Sequence, residues 1–256
     1  MRLKRLAKTL LPASVVDAAR PSFNRIRNSY FRSKGLHHGF FDHYDFFRKA
    51  FTALEFNGIE GDYAEFGCYG AGTFSLAHMI LTKYLSDSAK VHQWAFDSFE
   101  GLPESVVPAD VHPQWVKGEL CMSLEAFHKR CKQRGIPRSA YTAVPGFYEE
   151  SLAPTAVGPR PTKIRLAYID CDMYSSTKVV LEFLKPRLQH GMIIAFDDYY
   201  SYSSDKPSGE RLAAATVFGD SNKEWRMLPY VQYGWHGMSF VVESLSAYSG
   251  NLNAHW

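Results

Sequence analysis

The stretch LAYIDCDMYSSTK, Leu166 to Lys178, sets an apolar run against two aspartates one residue apart, followed by a Ser-Ser-Thr cluster of the kind that starts helices. A short apolar run bounded by turn residues suits a strand buried on both faces. Asp170 and Asp172 then sit at its carboxyl end, where open α/β sheets bind their ligands. The pattern recurs along the chain. GDYAEFG brings Glu65 to a strand end, VHQWAFD brings Asp97, and MIIAFDD brings Asp197 and Asp198. Four strands ending in carboxylates along one rim are hard to explain as solvation.

Segments of helical spacing lie between these strands: HYDFFRKAFTALEF, TFSLAHMILTKYL, SSTKVVLEFLKPRL and GERLAAATVFGD. The third has Ser175 or Ser176 as its expected cap. YTAVPG reads as one more short strand, EWRMLPY and MSFVVES as a closing pair, and residues 100–140 as a helical insertion over the sheet. Strands alternating with helices predict a doubly wound, mostly parallel sheet, Rossmann-like in class. Residues 41–256 form this domain and residues 1–40 an appendage.

The appendage carries the charge asymmetry. Residues 1–40 hold nine Lys/Arg and a single acid, Asp17, whereas the rest of the chain holds twenty basic and twenty-five acidic groups. A positive charge confined to one arm argues against nucleic-acid binding by the body of the protein. Leu3, Leu6, Ala7, Leu10 and Leu11 form one helical stripe, with Arg2, Lys4, Arg5 and Lys8 opposite; Phe23, Ile26, Tyr30 and Phe31 repeat the design. Such a basic amphipathic arm, residues 1–34, rests on an anionic membrane, docks on its own domain or meets a second subunit. The 46% hydrophobic content excludes disorder. No apolar run reaches the roughly 20 residues of a bilayer span, and Lys8 and Pro12 interrupt any signal-peptide core. Cys68, Cys121, Cys131 and Cys171 make no CxxC pair and read as reduced thiols. The expectation is a cytoplasmic protein, peripheral at most to the inner membrane face, and a homo-oligomer.

EFGCYGAGTF, Glu65 to Phe74, spaces Gly67, Gly70 and Gly72 before a helix that begins at Thr73. The order differs from the GxGxxG of dinucleotide sites, and a carboxylate precedes the first glycine. That suits a cationic or amino-bearing ligand better than a pyrophosphate. Asp97, one strand on, is placed to accept hydrogen bonds from ribose hydroxyls. If the strands ending in Asp170 and in Asp197/Asp198 are neighbours, about 4.8 Å apart, their carboxylates can converge on a hard cation such as Mg²⁺. The competing structural account has them capping helices or pairing with Lys178 and Arg187. Asp172 stands beside such a site as a general base would. His37, His38, Asp42 and His43 match no zinc spacing and read as a polar, aromatic lid segment. Tyr199, Tyr200, Tyr202, Trp235 and His236 follow strand ends, where they either stack on a sugar ring or cover the core.

Together GDYAEFGCYGAGTF, FDSFEGLPE, IDCDMYSSTKVVLEFLKPRL and GMIIAFDDY resemble the macrocin O-methyltransferase family over roughly residues 60–215. Two positions depart from its pattern: Phe66 stands where the family has Cys, and Cys171 where it has Gly between the two aspartates. The resemblance implies a seven-stranded class I methyltransferase fold with an antiparallel last strand, dependent on S-adenosylmethionine and a metal. It assigns Glu65, Gly67, Gly70, Gly72 and Thr73 to the methionine part of the cofactor and Asp97 with Ser98 to its ribose. It assigns Asp170, Asp197 and Asp198 to Mg²⁺ and Asp172 to the base. The implied acceptor is a sugar hydroxyl in a surface glycan or a glycosylated natural product. The rival is a metal-dependent glycosyltransferase that uses Asp170 and Asp172 to hold a nucleotide sugar. Against it stand the glycine turn, the second acidic pair and the shortage of Lys/Arg near the rim.

Overall fold

The computed structural model describes residues 40–246, apart from 106, 113, 114, 203, 220 and 221. The amphipathic stripes of the basic arm, with His37 and His38, lie outside the described residues. Helix α1 (Phe40–Phe56) leads into strand β1 (Asp62–Phe66), α2 (Gly72–Tyr84) and β2 (Gln93–Asp97). Then come α3 (Leu124–Gln133), β3 (Tyr141–Pro145), the single turn α4 (Tyr148–Ser151), β4 (Ile164–Ile169), α5 (Tyr174–Leu184) and β5 (Ile193–Phe196). Helix α6 (Gly209–Phe218) and the hairpin β6 (Trp225–Tyr233) and β7 (Gly237–Ser244) close the chain's described part.

The seven strands form one sheet in the order β3-β2-β1-β4-β5-β7-β6. The first five are mutually parallel, and β7 runs antiparallel to both β5 and β6. The order reverses direction between β1 and β4, the switch point beside which such sheets bind ligands. All six residues of β4 are buried, as its continuous apolar run requires of a central parallel strand. Edge strand β6 is half exposed, and Pro229 sits where its register against β7 slips, a position that tolerates a missing N–H.

Alternation along the strands divides the core. Phe66, Phe96, Ile169 and Phe196 pack with Val180, Leu184 and Val217 of α5 and α6. On the other face Tyr63 and Tyr168 meet Phe46 and Phe47 of α1, where Phe46, Phe47, Ala50, Phe51 and Leu54 form one fully buried stripe.

Three sequence expectations need correction. Most of residues 100–140 is irregular: among the described residues α3 is its one α-helix, and Pro103, Pro108, Gly101 and Gly118 break up the stretch before it. Helix α5 begins one residue early, at Tyr174, so neither Ser175 nor Ser176 is its cap. The carboxylate of Asp110 takes that role instead, accepting from Ser175 N and Ser175 Oγ, both at 2.8 Å. Nor do Lys178 and Arg187 pair with the rim: Lys178 is exposed, and Arg187 donates to the carbonyls of Pro161 and Phe183. Among the described residues no helix is long and apolar enough to cross a membrane.

Candidate active site

At the carboxyl end of β1, Gly67 has φ +91°, and a Cβ on it would lie 1.7 Å from the carbonyl oxygen of Asp170. Only glycine lets the ends of β1 and β4 approach so closely. Gly70 also uses positive φ, whereas Gly72 is already helical at φ −68°. Arg134, at the end of α3, donates to the carbonyl of Ala71 and braces this loop from outside. Glu65 is fully buried, its Oε1 accepting from Thr73 Oγ1 at 2.6 Å and its Oε2 from the Tyr63 hydroxyl. Burial pushes its carboxyl up to about 8. Asp97 accepts from the amides of Cys68 and Phe99, each at 2.7 Å, and burial raises its pKa as well.

A cavity of about 230 Å³ lies over these loops, lined by Gly67, Asp97, Ser98, Asp170 and Asp172 with apolar cover from Leu102 and Phe147. Of the residues expected to hold a cofactor, Gly67, Asp97 and Ser98 line it. Glu65 and Thr73 bond to each other beneath the loop, and Gly70 and Gly72 shape its course.

The acidic rim is built differently. Sheet hydrogen bonds run past the strand ends, Asp170 N to Phe66 O and Asp197 N to Ile169 O, both 2.8 Å, and so fix both aspartates in register. Asp172 adopts φ +62°, a left-handed conformation unusual for aspartate, and is nearly buried. It stands on the rim with Asp198. Burial, then the charges of Asp197, Asp172 and Asp198, raise Asp170 well above the ordinary range. Burial and Asp198 do the same to Asp172. Asp197 goes the other way: burial pushes it up, but His43 and Tyr168, which donate to Oδ1 at 2.9 and 2.6 Å, outweigh that and lower it. A second cavity, of about 430 Å³, is lined by Asp172, Asp198, Glu119, Tyr202, Trp115 and Trp235 among others. The two cavities share Leu120 and Asp172.

This arrangement, a glycine-tight β1–β4 junction and an acidic rim beside it, lies inside a matched family region. Residues 42–210 match the macrocin O-methyltransferase (TylF) family. The chain belongs to that family. A relative from Streptomyces olivaceus, the 8-demethyl-8-(2,3-dimethoxy-alpha-L-rhamnosyl)-tetracenomycin-C 4'-O-methyltransferase, is 33% identical over 150 residues, covering 56% of this chain and 54% of that one. The chain thus matches about half the length of that curated relative. Among solved structures, a calicheamicin methyltransferase superposes with TM-score 0.61 at 21% identity, covering 94% of this chain and 90% of that one. The O-methyltransferase NovP gives 0.58 at 20%, covering 78% and 79%. These likenesses establish the Rossmann-like class I methyltransferase fold.

Three features of this macrocin O-methyltransferase family member escape its sequence. Glu210, fully buried in the first turn of α6, accepts from Cys171 N at 3.2 Å and Asp198 N at 3.0 Å, and so ties the β4 loop to the β5 loop. His43 is no lid residue but the partner of Asp197. His236 bonds the Asp197 carbonyl. As donors, Asp170, Asp197 and Asp198 fit a hard divalent cation: all are oxygen ligands, and two are raised by burial and then by the negative charge of their neighbours. Among the described residues, no three His, Cys, Asp or Glu side chains already stand gathered as a metal site. The four cysteines are free, with Cys121 exposed and the others buried.

Proposed function

We propose that this protein is an S-adenosylmethionine- and Mg²⁺-dependent O-methyltransferase acting on a sugar hydroxyl. The observation that carries the reading is the meeting of the two cavities at Asp172. Two reactants held on either side of one buried carboxylate suit direct transfer, and holding both in place can remove roughly 7–11 kcal/mol of barrier. None of the described residues lining either cavity is Lys or Arg, which suits a sulfonium and disfavours the diphosphate of the glycosyltransferase alternative. The relative from Streptomyces olivaceus is named for methylation of a rhamnosyl group, and a rhamnoside is the acceptor to try first.

S-adenosylmethionine supplies the methyl group and, when bound, Mg²⁺ supplies positive charge that balances the rim and makes the acceptor hydroxyl more acidic. Asp97 would accept the ribose hydroxyls through lone pairs that the two backbone amides leave, with Ser98 beside it. Gly67, Gly70 and Gly72 would let the methionine end lie close to the backbone, over the Glu65–Thr73 pair. Asp170, Asp197 and Asp198 would hold the metal, with Asp197 oriented by His43 and Tyr168. Asp172 would take the acceptor proton as its oxygen attacks the methyl group. Positive charge beside it would favour the ionised form of Asp172 that this role requires.

Calorimetric titration of S-adenosylhomocysteine into metal-stripped protein, repeated with Mg²⁺, tests the proposal. Micromolar binding is expected. No binding of it, with a Mg²⁺-dependent signal from a nucleotide sugar, would overturn the methyltransferase reading.

A further inference from the structure

We infer that Asp110 is a positioning residue for the transfer: it ties the loop that walls the cavity beside Asp172 to the turn that carries Asp172 itself. The inference rests on the methyltransferase reading above and goes beyond it, from which residue serves as the base to what holds that base in place.

An aspartate in a loop is ordinarily solvated, and one that is completely buried needs partners. Asp110 is completely buried. It ends the single 3₁₀ turn Pro108–Asp110, which packs on α5 and α6. Both of its carboxylate oxygens are committed to one residue: Oδ1 accepts from Ser175 N and Oδ2 from Ser175 Oγ, each at 2.8 Å. Ser175 is the second residue of α5, where the first N–H groups have no partner within the helix and the helix dipole favours negative charge. A buried, doubly bonded contact of this kind fixes the loop relative to the helix.

What lies on either side of the contact gives it a function. On the helix side, Ser175 follows the Asp172 turn directly. That turn is tight: Met173 N bonds the Cys171 carbonyl at 2.6 Å, and Asp172 holds φ +62°. A left-handed aspartate persists only where its surroundings over-determine it. Glu210 grips the turn ahead of Asp172, through Cys171 N, and Asp110 grips the chain behind it, through Ser175. On the loop side the chain runs on to Trp115, which lines the cavity with Asp172. Trp115 sits over Gly209, where a Cβ would lie 3.1 Å from Trp115 Cη2 and 3.3 Å from the carbonyl oxygen of Asp172. The base of the loop is closed separately. Leu102 N bonds the Glu119 carbonyl and Gly118 N the Leu102 carbonyl, both at 2.9 Å. Gly101 permits that approach, since a Cβ on it would lie 2.6 Å from the Glu119 oxygen. Leu102 and Leu120, at this base, line the cofactor-side cavity. Loss of Asp110 therefore frees the middle of the loop and the entry to α5, and leaves the cofactor side closed. A misplacement of about 1 Å between base and acceptor can cost about 10²-fold in rate.

The test uses full-length protein with Mg²⁺, S-adenosylmethionine and a panel of phenyl glycosides, the α-L-rhamnoside first. Turnover is expressed per S-adenosylhomocysteine-binding site, counted by calorimetry, so that unfolded protein does not lower it. Asp110→Ala should lower kcat per site by about tenfold or more, with S-adenosylhomocysteine affinity changed less than about threefold. Asp110→Asn still accepts from Ser175 N and can donate to Ser175 Oγ, so it should recover most of the loss. Should Asp110→Ala fail to bind S-adenosylhomocysteine, Ser175→Ala carries the test: it deletes one of the two hydrogen bonds and should lower kcat per site by about threefold. Hydrogen exchange gives a readout that needs no acceptor. In Asp110→Ala, amides within residues 107–112 and 173–175 should exchange about tenfold faster together, while those of residues 101 and 102 keep their rates. Failure of the unmodified protein to bind S-adenosylhomocysteine would overturn the methyltransferase reading on which the inference rests. With that binding intact, kcat per site indifferent to both alanine variants, Asp110→Asn as impaired as Asp110→Ala, or faster exchange on one side of the contact alone would each overturn the role of Asp110.

Discussion

The two halves of the rim hold their carboxylates in opposite ways. At β1 and β2 each acid has donors of its own: Glu65 has Thr73 and Tyr63, and Asp97 has two backbone amides. At β4 and β5 the acids face one another, and burial together with neighbouring negative charge raises Asp170, Asp172 and Asp198. Donors on that side are fewer: Asp197 has His43 and Tyr168, Asp198 has Ser201 Oγ at 2.8 Å, and none is seen for the carboxyls of Asp170 and Asp172 among the described residues. A satisfied carboxylate is a fixed part, ready to meet a ligand without rearranging. Carboxylates pressed together hold repulsion that an incoming positive charge relieves. The difference teaches that one half is built before anything binds, and the other is completed by what binds.

Substitutions can break that contrast. The largest effect is expected from Asp172→Asn: turnover should fall about 10²- to 10⁴-fold, the usual contribution of a general base, while S-adenosylhomocysteine affinity changes less than about threefold. Near-normal turnover in single-turnover assays would remove Asp172 from that role. Gly67→Ala forces a Cβ into the Asp170 carbonyl and should destabilise the protein by about 3 kcal/mol or more in urea unfolding. Glu210→Gln replaces one acceptor by a donor facing a backbone N–H. Stability should drop by about 1–3 kcal/mol, with kcat falling more than KM rises if the clamp positions the β4 and β5 loops. Asp97→Asn keeps one acceptor and should weaken S-adenosylhomocysteine about tenfold, measured by calorimetry.

The smallest effect sharpens the satisfied half. Glu65 is raised from 4.5 to about 8 by burial, so the folded protein binds a proton there that the unfolded chain has released. Its stabilising contribution is full below about pH 4.5 and is lost as pH rises through about 8. The unfolding midpoint of ligand-free protein should therefore decline more steeply between those values than that of Glu65→Gln. Parallel pH profiles would show that the group stays charged in the fold.

The sequence makes the strand ends legible, because apolar runs halt at Glu65, Asp97, Asp170 and Asp197 and each halt is a local signal. The resemblance implied seven strands with the last antiparallel, and the structure bears that out; it also makes β4 and β5 the neighbours that the sequence could only suppose. What stayed hidden is long-range. Asp110 caps a helix 65 residues downstream, and His43 reaches Asp197 across 154 residues. Nothing near either residue announces its partner. Glu210 looked like any acid in a helix's first turn, and its complete burial comes from the packing of α6 over two loops. Trp235 was legible as an aromatic after a strand end, but that it lines one cavity with Trp115 was not.

Among the described residues the two cavities have only Leu120 and Asp172 in common, which under the proposed function has a kinetic consequence. Neither occupant has to lie across the other's place, so either can enter first and either product can leave first. Initial-rate patterns should then be those of random addition, with S-adenosylhomocysteine competing against the methyl donor and acting as a noncompetitive inhibitor towards the sugar.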